Sequence, residues 1–289
     1  MCRWMAWFGQ PILFEELLFK TEHGIVDQSL HARMGAEPTN GDGFGVGWYG
    51  SQGGGPGVFR SVEPAWSDAN LREIAAHIES PLFLVHVRAA IGSPVQQTNC
   101  HPFRHGQWLF VHNGYIAEFA ALRRDLMLAL DPALFSEVRG STDTEVVFGL
   151  ALTFGLEREP IAALERTVGF IEETARRRGI ADPVQATFGV SNGEALWAVR
   201  YASAGNARSL YMSVDADAVQ QLHPENPRFA RLRPDDRIIV SEPFSELPGV
   251  WEPVDEATAI TVRAGRTVEN KPFVPAVSPA VHLVGDGSG

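Results

Sequence analysis

The chain has 289 residues, 45% of them hydrophobic, enough for a full core in one large domain or two closely packed lobes. A formal net charge of −11 and a pI of about 5.3 set it against nucleic-acid phosphates, and its nearest basic run, Arg176-Arg177-Arg178, reads as a solvated helix end. Two cysteines, Cys2 and Cys100, make no disulfide framework and fit a reducing, cytoplasmic setting; no signal-peptide stretch precedes Glu15, and no apolar run reaches the roughly 18 residues of a membrane span.

Residues 2–9 (CRWMAWFG) predict a short buried strand, followed by Pro11 and a helix over FEELLFK. Residues 43–50 (GFGVGWYG) predict a strand with glycine at alternate positions, so one face is bare of side chains and something must approach it closely. The glycine-rich turn 51–57 and the strand VFRSVE complete a hairpin. A helix over 67–79 leads to the strand LFLVHVR at 82–88, and QWLFVHN at 107–113 predicts another strand ending at Gly114. Helices are expected over 117–130, 143–155 and 160–178, the last opened by Pro160. The remainder is β-rich. QATFGVSN and EALWAVRYA flank Asn192-Gly193, a two-residue hairpin signal, and SLYMSV, RIIVSE, AITVRA and TVENKPFV follow as strands. The tail 275–289, rich in Pro, Gly and small residues, is expected to be disordered, leaving residues 2–274 as a single domain. Strands, then helices, then strands again do not alternate as strand–helix units do, which points to an α+β fold of antiparallel sheets covered by helices.

Several short motifs carry chemistry. Cys at position 2 is small enough to permit removal of Met1, which would leave a thiol and a free α-amine on one residue. An α-amine has an ordinary pKa of about 7.7–8.0, so it can take the thiol proton and make the thiolate, the true nucleophile. Arg88, at the end of the apolar strand, can fork two donors onto a carboxylate, although a structural ion pair is the commoner use. His86, two residues earlier on the same face, reads as a hydrogen-bonded core histidine. Asn113 and Gly114 in His112-Asn113-Gly114 outline an oxyanion hole, a side-chain amide and a backbone N–H aimed at one oxygen; the same pair is also the commonest tight turn. Thr142-Asp143-Thr144-Glu145 matches a capping box and places Asp143 in a first helical turn, where the dipole favours its ionised form and a pocket-facing carboxylate could hold an ammonium group. The glycines of 40–48 fit no nucleotide-binding fingerprint, and Cys100-His101 lacks the partners of a zinc site, so no metal or cofactor is expected.

Met1-Cys2, NGDGFGVGWY, HVRAA, NCHPF at 99–103, HNG and STDTE, in this order, resemble the class II glutamine amidotransferases of the N-terminal nucleophile hydrolase superfamily, and SEPFSELPGVWEPV at 241–254 is similar to the end of their small stand-alone members. The resemblance implies a four-layer αββα sandwich of two antiparallel sheets. It implies Cys2 as nucleophile after loss of Met1, Asn113 and Gly114 as oxyanion hole, Arg88 on the substrate α-carboxylate and Asp143 on its α-ammonium. The implied substrate is a small-molecule γ-glutamyl amide, cleaved through a thioester; the alternatives are an amidotransferase subunit feeding a synthase or peptidase partner, and a domain that only binds. No nucleic acid or membrane enters this reading. One departure stands out: Arg88 is followed by Ala89-Ala90-Ile91-Gly92 where larger members of the family carry a Trp-Ala-Thr-His-like run, so donors that help fix the substrate are either missing or supplied from elsewhere.

Overall fold

Strand parity divides the molecule into layers. In the computed structural model, which describes residues 2–34, 38–50, 53–90, 92–227 and 229–276, the described strands form two antiparallel sheets. The first runs β11 (Trp251–Pro253), β9 (Tyr211–Ser213), β10 (Arg237–Val240), β1 (Arg3–Leu13), β4 (Glu79–Val87), β2 (Phe44–Trp48), β3 (Gly57–Ser61). The second runs β13 (Glu269–Pro272), β12 (Thr258–Arg263), β8 (Ala195–Ala202), β7 (Val184–Ser191), β6 (Trp108–Ile116), β5 (Phe103–His105). On β1, Trp4, Ala6 and Phe8 face the second sheet and pack with Leu82, Leu84, Leu109, Val111 and Ile260; Met5 and Trp7 face the other way. There they meet α1 (Phe14–Leu18), α2 (Ile25–His31), α3 (Ala69–His77) and α8 (Ala216–Gln221). The outer face of the second sheet carries Phe110, Phe188 and Val199 against α4 (Phe119–Leu128), α6 (Asp143–Thr153) and α7 (Pro160–Arg177), with the short α5 (Pro132–Phe135) beside α6. Three apolar layers separate four layers of structure, an αββα sandwich, because alternate side chains on both sheets are apolar on each face.

The bare face of β2 is filled as its glycines require. A side chain at Gly45 would collide with the carbonyl of His101, and one at Gly47 would meet Leu109 at 2.9 Å and Pro102 at 3.1 Å. The glycines thus let the 101–102 segment lie against the sheet.

Four expectations are corrected. The strand predicted to end at Gly114 continues to Ile116, because Asn113, Gly114 and Ile116 pair with Thr187, Ala186 and Val184 of β7; Asn113-Gly114 is strand, not turn. Strand β1 runs to Leu13, with its register on β4 shifting between Phe8 and Ile12 to carry it past Pro11. Three residues, not two, separate β7 from β8, with the Asn192 side chain accepting from the N–H groups of Glu194 and Ala195. In the capping box, Thr142 does cap Glu145 N, but the Glu145 carboxylate reaches past Thr142 to the N–H groups of Arg139 (2.9 Å) and Gly140 (2.6 Å). The helices α2, α5 and α8 and the strands β5 and β11, all of seven residues or fewer, were not foreseen. Arg176 and Arg177 do end α7, on Glu173, and Arg178 pairs with Asp125. Within the predicted tail, Ala276 N donates to Glu165 O on α7, and residues 277–289 lie outside the described residues. Among the described residues no helix is long and apolar enough to cross a membrane.

Candidate active site

The parity that builds the core also assembles the site. Cys2 lies one residue before β1, on the side of Trp4 and Ala6. Arg88 follows β4 on the side of Leu84 and His86, and Asn113 lies on β6 on the side of Leu109 and Val111. All three therefore project into the space between the sheets, and all three sit at the same end of it, since Arg3 pairs with Val87 and Trp4 Nε1 donates to Thr187, the partner of Asn113. They line one cavity of about 160 Å³, which Gly114, the N-terminal turn of α6 with Asp143, and His101 complete. The five residues singled out from the sequence are thus brought together. A larger cavity of about 650 Å³, lined by Arg60, Arg104 and Arg139, holds none of them.

Each group is held by its surroundings. Arg88 is buried, and its Nη2 donates to Ser93 Oγ (2.7 Å) and Pro94 O (3.2 Å). Asp42 supports the same turn, its carboxylate accepting from Ala90 N at 2.7 Å and its carbonyl from Arg88 Nη1 at 3.4 Å. The buried Asn99 side chain ties this loop to the start of α6, donating to Pro94 O and Ser141 Oγ and accepting from Ser141 N. Asp143 accepts from Ile116 N at 2.7 Å and from Thr144 N at 2.7 Å, so it joins β6 to α6, and it makes no ion pair among the described residues. A carboxylate has about four lone-pair directions, so room for further donors remains. The Asn113 amide makes no side-chain hydrogen bond among the described residues. Gly114 has no space for a side chain, because a Cβ there would collide with Gln185 O.

The Cys2 thiol donates to Ala89 O at 3.6 Å, and its carbonyl accepts from Arg3 Nη1 at 3.0 Å. Burial pushes the thiol up from its ordinary pKa, with Asp143 adding to that and Arg88 opposing it. The thiol is therefore held protonated, and a base must act before it can attack. Of three buried histidines nearby in the fold, His101 and His112 line the same cavity, and His86 contacts His101. His101 Nδ1 is 2.8 Å from His86 Nε2, and His112 Nδ1 is 2.9 Å from Thr144 Oγ1. Burial lowers all three, His86 to about 3, so they stand neutral. Cys100 is fully buried, donates to Ser61 O at 3.4 Å and is also pushed up by burial, the environment of an inert thiol. Among the described residues no cluster of three or more His, Cys, Asp or Glu could hold a metal ion.

Sequence reasoning assigned no role to Asp42, Ser93, His101, Tyr115 or Arg208. Asp42 and His101 fall inside quoted motifs; the other three lie where pattern carries no signal, in loops or at a strand's exposed position.

An N-terminal cysteine region, an Arg-bearing strand end and a glycine-tight Asn-Gly on two facing antiparallel sheets define an N-terminal nucleophile type of architecture. The chain matches the family Glutamine amidotransferases class-II over residues 19–215, and it belongs to that family. It is 31% identical to the probable glutamine amidotransferase DUG3 of Saccharomyces cerevisiae over 91% of this chain and 82% of that one. It is 29% identical to the gamma-glutamyl-hercynylcysteine sulfoxide hydrolase of Mycolicibacterium smegmatis, over 93% of this chain and 98% of the relative. Among solved structures, a glutamine aminotransferase class-II domain protein from Silicibacter pomeroyi superposes with a TM-score of 0.72 at 32% identity, covering 95% of this chain and all of that one. The glutamine phosphoribosylpyrophosphate amidotransferase of B. subtilis, at 13% identity and a TM-score of 0.61 over 96% of this chain and half of its own, shares the fold.

Proposed function

We propose that this enzyme is a γ-glutamyl amide hydrolase of the cytoplasm, a single domain over residues 2–274, in which Cys2 becomes the N-terminal residue and forms a γ-glutamyl thioester. The observation that carries the reading is the shared cavity: one thiol, a side-chain amide beside a glycine N–H, and charged groups of both signs, Arg88 and Asp143 among them. A γ-glutamyl head is a zwitterion. Arg88 takes its α-carboxylate and Asp143 its α-ammonium, and simple acyl amides lack both handles. The relative named for hydrolysis of a gamma-glutamyl compound supports the same substrate class.

The chemistry follows. Loss of Met1 turns the Cys2 nitrogen from an amide into an amine, the base that the thiol lacks. The amine takes the thiol proton and the thiolate attacks the amide carbon. The oxyanion is met by the Asn113 amide and the Gly114 N–H. The carbon–nitrogen bond breaks as the ammonium returns its proton to the leaving amine. Water, deprotonated by the same amine, then adds to the thioester, and glutamate leaves as the thiol re-forms.

Glutamate release by the purified chain, with Met1 removal checked by intact mass, tests this on glutamine and larger γ-glutamyl amides. Turnover without an added partner is expected, and Cys2→Ala should fall below roughly one-thousandth of it. Release that appears only with a second chain would point instead to an amidotransferase subunit; undiminished release by Cys2→Ala would end the reading.

A further inference from the structure

The cavity holds a second arginine that the γ-glutamyl head does not use. Arg208 lines it from the loop between β8 and β9, and among the described residues it makes no ion pair. Its Nε is sealed from solvent and has no hydrogen-bond partner among the described residues. Arg208 as a whole is half-buried, and that partial burial lowers its pKa, the direction expected of a cation that loses part of its hydration.

The loop around it is fixed. Arg200 donates to the carbonyls of Arg208 (2.8 Å) and Ala207 (3.2 Å), Ala207 N donates to the Glu256 carboxylate at 3.0 Å, and Ser209 Oγ donates to Ser241 O at 2.7 Å. The residues on either side are thus tied down, while the guanidinium between them is left for something else.

The ionised side chains lining the cavity are Arg88 and Arg208 against Asp143, since burial keeps His101 and His112 neutral. A γ-glutamyl head brings one charge of each sign, so it satisfies Arg88 and Asp143 and leaves one positive charge over. Ammonia, the amine released from glutamine, brings no anion.

We propose that Arg208 is a specificity-determining residue that binds an anion on the amine half of the substrate, so that the preferred substrates are γ-glutamyl amino acids or peptides, whose amine half carries a carboxylate, rather than glutamine. Tyr115, 46% exposed and directly after Gly114, lines the same cavity. The assignment of halves rests on the hydrolase reading above.

The test is the ratio of kcat/KM for γ-glutamylglycine to that for γ-glutamylethylamide, a near match without the carboxylate. The unsubstituted enzyme is expected to favour γ-glutamylglycine by roughly ten- to a hundredfold, and Arg208→Gln to bring the ratio close to one, chiefly through KM, with Arg208→Lys in between. A ratio is insensitive to how much of a variant is folded. An equal loss on both substrates would place Arg208 on the γ-glutamyl head and overturn the inference, as would an unchanged ratio. Should the unsubstituted enzyme release glutamate from neither, the hydrolase reading fails separately. Calorimetric binding of the same two compounds to the Cys2→Ala protein then decides: tighter binding of γ-glutamylglycine that Arg208→Gln removes supports the inference, and equal binding overturns it.

Discussion

Replacing Glu242 with Gln should loosen the strand that carries Cys2. Glu242 is 1% exposed and its carboxylate accepts four donors: Arg3 Nε (2.9 Å), His23 Nε2 (2.7 Å), Arg33 N (2.8 Å) and Met34 N (3.1 Å). Burial alone would raise its pKa, but these donors outweigh it and hold the group at about 2, against an ordinary 4.5. At about 1.36 kcal/mol per pH unit this amounts to about 3 kcal/mol, in line with the roughly 3–5 kcal/mol cost of removing one partner from a buried ion pair. Arg3 also donates to the Cys2 carbonyl, so the loss is felt at the site. Glu242→Gln is therefore expected to lower the melting temperature at pH 7 by roughly 5–10 °C and to reduce kcat. A depressed carboxylate pKa contributes stability above the unfolded value and loses it as pH falls toward the folded one. The gap between the two proteins should hold from pH 7 to 5 and narrow below 4.5. Melting curves at pH 7, 5 and 4 check this; a gap below about 0.5 kcal/mol at pH 7, or one unchanged on acidification, would refute the reasoning.

Other outcomes follow from the same geometry. Gly114→Ala forces a Cβ onto Gln185 O and should cost at least about 2 kcal/mol, read by urea unfolding. Ser93→Ala removes the 2.7 Å acceptor of Arg88 at a half-exposed position, so KM for γ-glutamyl amides should rise several-fold while the melting temperature moves little. His86, His101 and His112 are neutral when folded and protonate when unfolded, so stability should fall as pH drops below about 6.5 toward the folded values, and His86→Asn should make that fall shallower in melts at pH 7, 6 and 5.

The long elements were legible because burial leaves a period: the apolar runs of β1, β4, β6, β7 and β8 and the helices α3, α4, α6 and α7 fall close to where hydrophobic pattern places them. Short pieces such as α5 and β11 have too few residues to show a period, and their form is set by neighbours. Asn113-Gly114 shows where local chemistry misleads. The pair favours a turn, but cross-strand bonds to Thr187 and Ala186 hold it in β6, with glycine demanded by Gln185 O rather than by a bend. Alternate glycines on β2 correctly announced a close approach, without naming the 101–102 segment that makes it. Of the residues lining the candidate cavity, Cys2, Arg88, Asn113, Gly114 and Asp143 stand in motifs that point to them. Arg208 does not, since nothing in the sequence distinguishes an arginine facing a cavity from Arg200 on β8, whose donors go to backbone carbonyls and the Glu256 carboxylate.

The central claim is the identity of the nucleophile, and acid-quenched peptide mapping during turnover of a γ-glutamyl amide tests it most directly. A γ-glutamyl thioester is expected on a peptide that begins at Cys2 and lacks Met1. A thioester on Cys100, or steady turnover by chains that all retain Met1, would contradict it.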